Sequence, residues 1–91
     1  MTEGWKEFLK LCGSLKTAEE FGQVCDLFFT MEEKENLAAR TLIIKALLED
    51  KLTQREIADK YRVSIAQITR GSNAVKIISP KLKKILKERL D

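Results

Sequence analysis

The fold is decided by residues 53–73, which read TQREIADKYRVSIAQITRGSN. A Ser or Thr followed three residues later by Glu or Gln is typical of a helix start, because each side chain satisfies a free backbone amide near the other. Thr53 with Glu56 and Ser64 with Gln67 both have this spacing. The stretch therefore predicts two short helices joined by the turn Arg62-Val63-Ser64, a helix-turn-helix that covers about residues 53–78.

The residues between the two helices are suited to fixing their angle. Ile57, Val63 and Ile68 can form a small apolar core, and Ala58 is small enough to let the helices cross closely. Arg62 stands where such a turn usually has Gly in a left-handed conformation. Either Arg62 adopts that conformation itself, or the turn is of a different type.

The outward face of the second helix is suited to nucleic acid. Ile65, Ala66, Thr69 and Lys76 lie on it, and no acidic residue occurs from Ile65 to Ile78. A recognition helix of this kind inserts its N-terminal side chains into the major groove of DNA. An αα-hairpin with no role in DNA binding is the alternative that the pattern leaves open.

The charge of the chain is divided between its halves. Residues 1–50 contain 6 Lys or Arg against 10 Asp or Glu, a net charge of −4, whereas residues 51–91 contain 11 against 4, a net charge of +7. A strongly basic half is typical of proteins that bind nucleic acid. A lysine-rich surface that contacts only solvent is the alternative.

The composition argues against several classes of function. Histidine is absent, which removes the commonest general base and the commonest metal ligand. No Gly-rich phosphate loop or Cys-X-X-Cys motif is present, so we expect neither an enzyme nor a metal site. The apolar runs are far shorter than a membrane span of about 20 residues. We expect a cytoplasmic protein without a secretory leader, in which Cys12 and Cys25 are reduced core residues.

Helical periodicity continues outside the helix-turn-helix, and no segment alternates as a strand does. Further helix starts are predicted at Thr30 with Glu33 and at Ser79 followed by Pro80. The sequence thus predicts an all-α chain of six helices in a single domain, residues 1–91. The apolar positions at helical spacing are Trp5, Phe8, Leu9, Cys12 and Leu15; Phe21, Val24, Cys25 and Phe28; Leu37, Thr41, Ile44, Leu47 and Leu48; and Leu82, Ile85, Leu86 and Leu90.

The first two helices have more apolar surface than the rest of the chain can cover. Phe28 and Phe29 are adjacent and add to the stripes that begin at Trp5 and Phe21. A small helical protein usually buries such surplus surface against a second copy of itself. The sequence therefore predicts a homodimer.

Three features together resemble the tryptophan repressor family of the trp operon. They are the string Ile-Thr-Arg-Gly-Ser-Asn at 68–73, the string Thr-Gln-Arg-Glu at 53–56, and Arg40 in the third helix. The resemblance runs from about Trp5 to the C-terminus, and the six-residue string is highly specific. It implies an intertwined, all-helical homodimer that binds L-tryptophan as a corepressor and then binds a palindromic operator in double-stranded DNA.

The resemblance also implies a tryptophan site. Arg40 and Arg70 match the two arginines between which the indole stacks, and Arg70 also faces the carboxylate. A guanidinium suits both tasks, because it stacks on aromatic rings and pairs with carboxylates. The predicted ligand-binding residues are Leu27, Phe29, Thr30, Arg40, Gln67, Arg70, Gly71 and Ala74.

The remaining members of that set have more local roles in the family. Leu27 and Phe29 match positions whose backbone carbonyls accept from the ligand ammonium, and the Thr30 hydroxyl helps to hold the carboxylate. Gly71 matches a glycine that lets the ligand ring lie against the helix backbone. Ala74 and Gln67 depart from the family, which often has a serine and a threonine at these positions. We expect the departures to weaken tryptophan binding or its selectivity.

The DNA contacts follow from the same resemblance. Gln54, Arg55, Ser72 and Lys76 are expected to hold phosphates, whereas Ile65, Ala66 and Thr69 face bases directly or through water. Two other functions stay open at this point. One is a helix-turn-helix regulator that responds to another aromatic or indole effector. The other is a helical interaction module that does not bind DNA.

Overall fold

The computed structural model describes residues 2–90 and contains six helices and no strand within that range. This confirms the predicted all-α architecture. The helices are α1 (Glu3–Ser14), α2 (Ala18–Phe28), α3 (Met31–Glu49), α4 (Gln54–Tyr61), α5 (Ile65–Ile77) and α6 (Pro80–Arg89). The pair α4 and α5 forms the helix-turn-helix, inside the predicted range of residues 53–78.

Side-chain caps fix where the helices begin. The Thr53 hydroxyl accepts from the Glu56 amide at 3.1 Å, and the Glu56 carboxylate accepts from the Thr53 amide at 2.9 Å. The predicted caps at Thr30, Ser64 and Ser79 are present as well. A capping box at Thr17 and Glu20 starts α2 and was not predicted, although its sequence has the same spacing.

The described residues divide into two compact units, the first ending at Lys34 and the second beginning at Glu35. The first unit contains α1, α2 and the start of α3. Aromatic side chains contact one another in this unit: the Phe8 ring lies 5.3 Å from the Phe28 ring and 6.0 Å from the Phe29 ring, between centroids. A single domain over residues 1–91 stays a prediction.

Neither α1 nor α2 has a fully buried side chain. Cys12 and Cys25 are free thiols, and both are half-buried. The expectation that they are core residues is therefore wrong for the single chain. The reason is that α1 and α2 have no further layer of the described residues in their own unit to cover their apolar faces.

The second unit contains the core. Ile43, Ala46, Ile57 and Ile68 are buried, and they pack with a half-buried shell of Leu47, Leu52, Ala58, Tyr61 and Val63. The predicted contacts of Ile57, Val63 and Ile68 between the two helices are confirmed. The predicted apolar face of α3 is wrong in part, because Ile43, which was not assigned to it, is buried, whereas Leu37, which was, is exposed. Residues 42–48 are apolar at every position except Lys45, so periodicity alone does not define one face.

The turn of the helix-turn-helix takes the first of the two forms considered for it. Arg62 has φ 55° and ψ 46°, a left-handed conformation. Its backbone N–H and that of Val63 both donate to the Ala58 carbonyl, which closes α4. This conformation costs an ordinary side chain about 1–2 kcal/mol. The closing hydrogen bonds and the packing of Val63 in the core hold it in place.

None of the helices between residues 2 and 90 combines the length and the hydropathy that a membrane crossing requires. The same part of the chain has no cluster of three or more Cys, Asp or Glu side chains that could hold a metal ion.

Candidate functional site

A pocket of about 140 Å³ lies between α3 and α5 in the second unit. Residues at positions 36, 40 and 43 contribute from one face of α3, since they are spaced by four and three residues. Positions 67 and 70 contribute from α5 with a spacing of three. The lining residues are Asn36, Arg40, Ile43, Gln67 and Arg70. The structure thus brings together three of the predicted ligand-binding residues, Arg40, Gln67 and Arg70.

The pocket has two guanidinium groups and no carboxylate among its lining residues. Within residues 2–90 the ion pair present is that of Lys34 with Asp26 at 2.7 Å, and neither Arg40 nor Arg70 takes part in one. Both arginines are exposed at the pocket. Two unpaired arginines that line one pocket favour an anion, and the flat faces of their guanidiniums can stack on an aromatic ring.

Gln67 belongs both to the pocket and to the start of α5. Its amide oxygen accepts from the Ser64 backbone N–H at 2.9 Å and lies 3.2 Å from the Ser64 hydroxyl. The Ser64 hydroxyl in turn accepts from the Gln67 backbone N–H at 3.1 Å. Gln67 is therefore held at the N-terminus of the predicted recognition helix, and it is also one of the residues that line the pocket.

Gly71 allows α5 to approach α3 closely. A Cβ atom at this position would lie 3.0 Å from Cγ2 of Ile43 and 3.5 Å from Cδ1 of Leu47. Because Ile43 is buried and also lines the pocket, the glycine sets the distance between the two helices that form it. This packing role was not predicted, and the role of Gly71 against a ligand ring stays a prediction.

The other predicted ligand residues lie elsewhere. Ala74 is exposed on α5 and does not line the pocket. Leu27, Phe29 and Thr30 belong to the first unit, at the end of α2 and the start of α3. Carbonyls in the last turn and cap of a helix have no intrahelical donor. Leu27 lies in that turn and Phe29 is the cap, so both carbonyls are of this kind.

The predicted DNA-binding residues all belong to the helix-turn-helix. Gln54 and Arg55 open α4, and the other five lie on α5. Six of the seven are exposed and Ser72 is half-buried, so their side chains are accessible along both helices. The full set is Gln54, Arg55, Ile65, Ala66, Thr69, Ser72 and Lys76. A large apolar residue, Ile65, is 51% exposed at the first position of α5, where contact with a thymine methyl group is possible.

Sequence reasoning missed two lining residues, Asn36 and Ile43. The available signal was the helical spacing from Arg40, because position 36 lies one turn before it and position 43 one turn after it on the same face. Asn36 adds a carboxamide that can donate and accept, and Ile43 is the one apolar side chain of the pocket.

Comparison with known proteins identifies one family for nearly the whole chain. The family model described as Trp repressor protein matches residues 3–90. The chain is 60% identical over 84 residues to a Trp operon repressor homolog of Chlamydia caviae, covering 92% of this chain and 83% of that protein. Homologs with the same name from Chlamydia trachomatis serovar D and Histophilus somni strain 2336 are 48% and 36% identical. These alignments cover 96% and 98% of this chain, and 93% and 84% of the two relatives.

Proposed function

Because this chain belongs to the Trp repressor family, we propose that it is an L-tryptophan-dependent transcriptional repressor that binds operator DNA as a homodimer. Its relatives are named as repressors, in agreement with the prediction of a regulator rather than an enzyme. The observation that carries the proposal is the pair Arg40 and Arg70, which line one pocket with no carboxylate among the lining residues.

The chemistry of tryptophan matches what the described residues offer. Its carboxylate suits the two guanidiniums, and its indole can stack against their flat faces. The family resemblance assigns the ammonium to the carbonyls of Leu27 and Phe29, and these carbonyls suit a cation because the C-terminal end of a helix has a partial negative charge. The last turn of α2 contains no basic side chain that would compete for those carbonyls.

Binding of DNA is supported by the composition of the helix-turn-helix. The helix α5 has no acidic residue, and the basic side chains of Arg55 on α4 and Lys76 on α5 are exposed. In a dimer the two recognition helices would enter successive major grooves about 34–36 Å apart. Affinity for DNA should then fall steeply as salt rises, because phosphate contacts release counterions.

The dependence on tryptophan is a shift between orientations of the helix-turn-helix. The pocket is formed by α3 and by α5 itself, so a ligand there contacts the proposed recognition helix directly. Tryptophan strengthens DNA binding if it binds the DNA-competent orientation more tightly than the relaxed one.

The proposed homodimer accounts for the apolar surface of the first unit. Trp5, Phe21 and Phe28 are each more than two-fifths exposed, which is unusual for large aromatic residues on helices. A second copy would cover them. Sedimentation of the wild type and of Phe28→Ala tests this: we expect a dimer that the substitution weakens, and a wild-type monomer at all concentrations would contradict it.

The central experiment is a mobility shift on DNA upstream of tryptophan biosynthesis genes, with and without L-tryptophan. We expect a shift that requires tryptophan, and Arg40→Ala and Arg70→Ala should each reduce tryptophan affinity by about 10–100-fold in calorimetry. Arg89→Ala is the matched control, since Arg89 is exposed in α6 and lies outside the pocket. A shift that is indifferent to tryptophan would overturn the corepressor, and no shift at low salt would overturn DNA binding.

A different aromatic effector is the second candidate. The position that often has a serine in this family is Ala74 here, and the pocket has two carboxamides, Asn36 and Gln67. Loss of one hydroxyl near the ammonium costs about 0.5–1.5 kcal/mol if the bond is made. Equal affinity for tryptophan and for indole-3-propionate would support an effector without an amino group, whereas a strong preference for tryptophan would exclude it.

A further inference from the structure

We infer that Gln67 is a positioning residue that links the ligand pocket to the start of the recognition helix α5. The inference rests on the proposed function. It states that ligand binding stabilises the helix-turn-helix through the side chain of Gln67. Gln67 lines the pocket with Arg40 and Arg70, and its amide oxygen caps α5 through Ser64.

The hydrogen bonds of Gln67 determine what it can offer to a ligand. A carboxamide has an acceptor oxygen and a donor nitrogen at opposite ends of one planar group. The oxygen is occupied by the Ser64 amide at 2.9 Å. The nitrogen has no partner among the hydrogen bonds of residues 2–90. Gln67 therefore offers a donor, which suits the same carboxylate that Arg40 and Arg70 favour.

The cap that Gln67 forms lies next to the left-handed residue of the turn. Ser64 is the N-cap of α5, and Arg62 two residues earlier is left-handed. A ligand carboxylate that accepts from the Gln67 nitrogen fixes the rotamer whose oxygen holds the Ser64 amide. Ligand binding then stabilises the turn and the first residues of α5, where the predicted base-contacting residues Ile65, Ala66 and Thr69 begin.

Three variants separate this link from simple helix capping. Gln67→Glu keeps the acceptor for the cap and removes the donor, and it sets a carboxylate against the ligand. Gln67→Ala removes both. Glu56→Ala is the matched control, because Glu56 occupies the same third position of the α4 capping box and does not line the pocket.

Two quantities are measured: the ratio of DNA affinities with and without saturating L-tryptophan, and hydrogen exchange of the backbone amides of residues 64–67. In the wild type we expect tryptophan to slow exchange at Ser64 and Gln67 by about tenfold or more. Gln67→Glu should lose tryptophan affinity by about tenfold or more while its melting temperature stays near that of the wild type. Gln67→Ala and Glu56→Ala should lose similar stability, but only Gln67→Ala should lose the affinity ratio.

The outcomes distinguish this inference from the proposed function. If tryptophan binds and strengthens DNA binding equally in the wild type and Gln67→Ala, the link is wrong and the repressor stands. If tryptophan binds without changing DNA affinity, the repressor is wrong, and exchange at residues 64–67 still decides the link. If the wild type binds no tryptophan, both are overturned. An equal fall of the affinity ratio in Glu56→Ala would reduce Gln67 to an ordinary cap.

Discussion

The two units of the chain differ in how they use apolar side chains. In the second unit, from Glu35 onward, Ile43, Ile57 and Ile68 are 2% exposed or less and form a core among α3, α4 and α5. In the first unit, α1 and α2 bury no side chain fully, and Leu27 is 80% exposed. Both units contain large apolar side chains, but only the second unit buries them among its own described residues.

This difference separates the structure that one chain stabilises by itself from the apolar burial that requires a second copy. The pocket and the helix-turn-helix both rest on the buried core of the second unit, so their geometry is set within that unit. The first unit is held by aromatic edge contacts of Phe8 and by helix caps. Under the proposed function, the second copy covers the exposed apolar side chains of the first unit, and dimerisation therefore stabilises that unit.

Among substitutions that compare the stability of the two units, we expect the largest loss from Ile57→Ala. Ile57 is fully buried between α3, α4 and α5, and truncation of a buried Ile leaves a cavity that costs about 2–5 kcal/mol of unfolding free energy. Leu27→Ala is the counterpart in the first unit and should cost about 0.5 kcal/mol or less. Urea denaturation at one fixed protein concentration measures both, and equal losses would mean that Leu27 is buried as tightly as Ile57, within the first unit or against the second copy.

A pair of glycine substitutions should have opposite signs in the two units. Gly71→Ala adds a Cβ 3.0 Å from Cγ2 of the buried Ile43, which then has to shift by a few tenths of an ångström within the core, so we expect a loss of about 1–2 kcal/mol. Gly22→Ala lies off the apolar stripe of α2 with nothing within 4 Å, and it should stabilise by about 0.5–1 kcal/mol through helix propensity. Thermal unfolding distinguishes them, and destabilisation by Gly22→Ala would show that another surface covers that side of α2.

The turn at Arg62 should give a smaller effect confined to the second unit. Arg62→Gly and Arg62→Ala remove the same charge, but only Gly adopts φ 55° without strain. We expect Arg62→Gly to be more stable than Arg62→Ala by about 1 kcal/mol in urea denaturation. Equal stability of the two variants would mean that the turn changes its conformation, and the helix-turn-helix would then be less rigid than its core suggests.

Much of this fold could be predicted from local sequence signals. The caps at Thr53 and Ser64 and the contacts of Ile57 and Ile68 follow from short-range spacing, and the structure agrees with them. The face of α3 could not be predicted, because its central residues are nearly all apolar and the choice of Ile43 over Ile44 depends on where α4 and α5 pack. Local periodicity contains no such information.

The candidate site was predictable in part for the same reason. Arg40 and Arg70 were identified through the family resemblance, and their meeting in one pocket depends on the close approach of α5 to α3 at Gly71. Asn36 was missed because a single polar residue on an exposed helix has no distinctive local pattern. The spacing of Ser64 and Gln67 predicts only that Gln67 caps α5. That the same residue also lines the pocket is visible only in the structure.

The smallest expected effect is the pH dependence of the α4 cap in the second unit. Hydrogen bonds from the Thr53 backbone N–H and then from its hydroxyl lower the pKa of Glu56 below its ordinary value of 4.5. Since the folded pKa is the lower one, this stabilisation is present above about pH 4.5 and is lost as the pH falls through the folded pKa. Glu56→Gln keeps an acceptor without a titrating group, so its urea midpoint should fall less between about pH 6 and pH 3 than that of the wild type. Glu35→Gln, at a carboxylate without a hydrogen bond among residues 2–90, is the control, and an equal change in its pH profile would remove the cap as the cause.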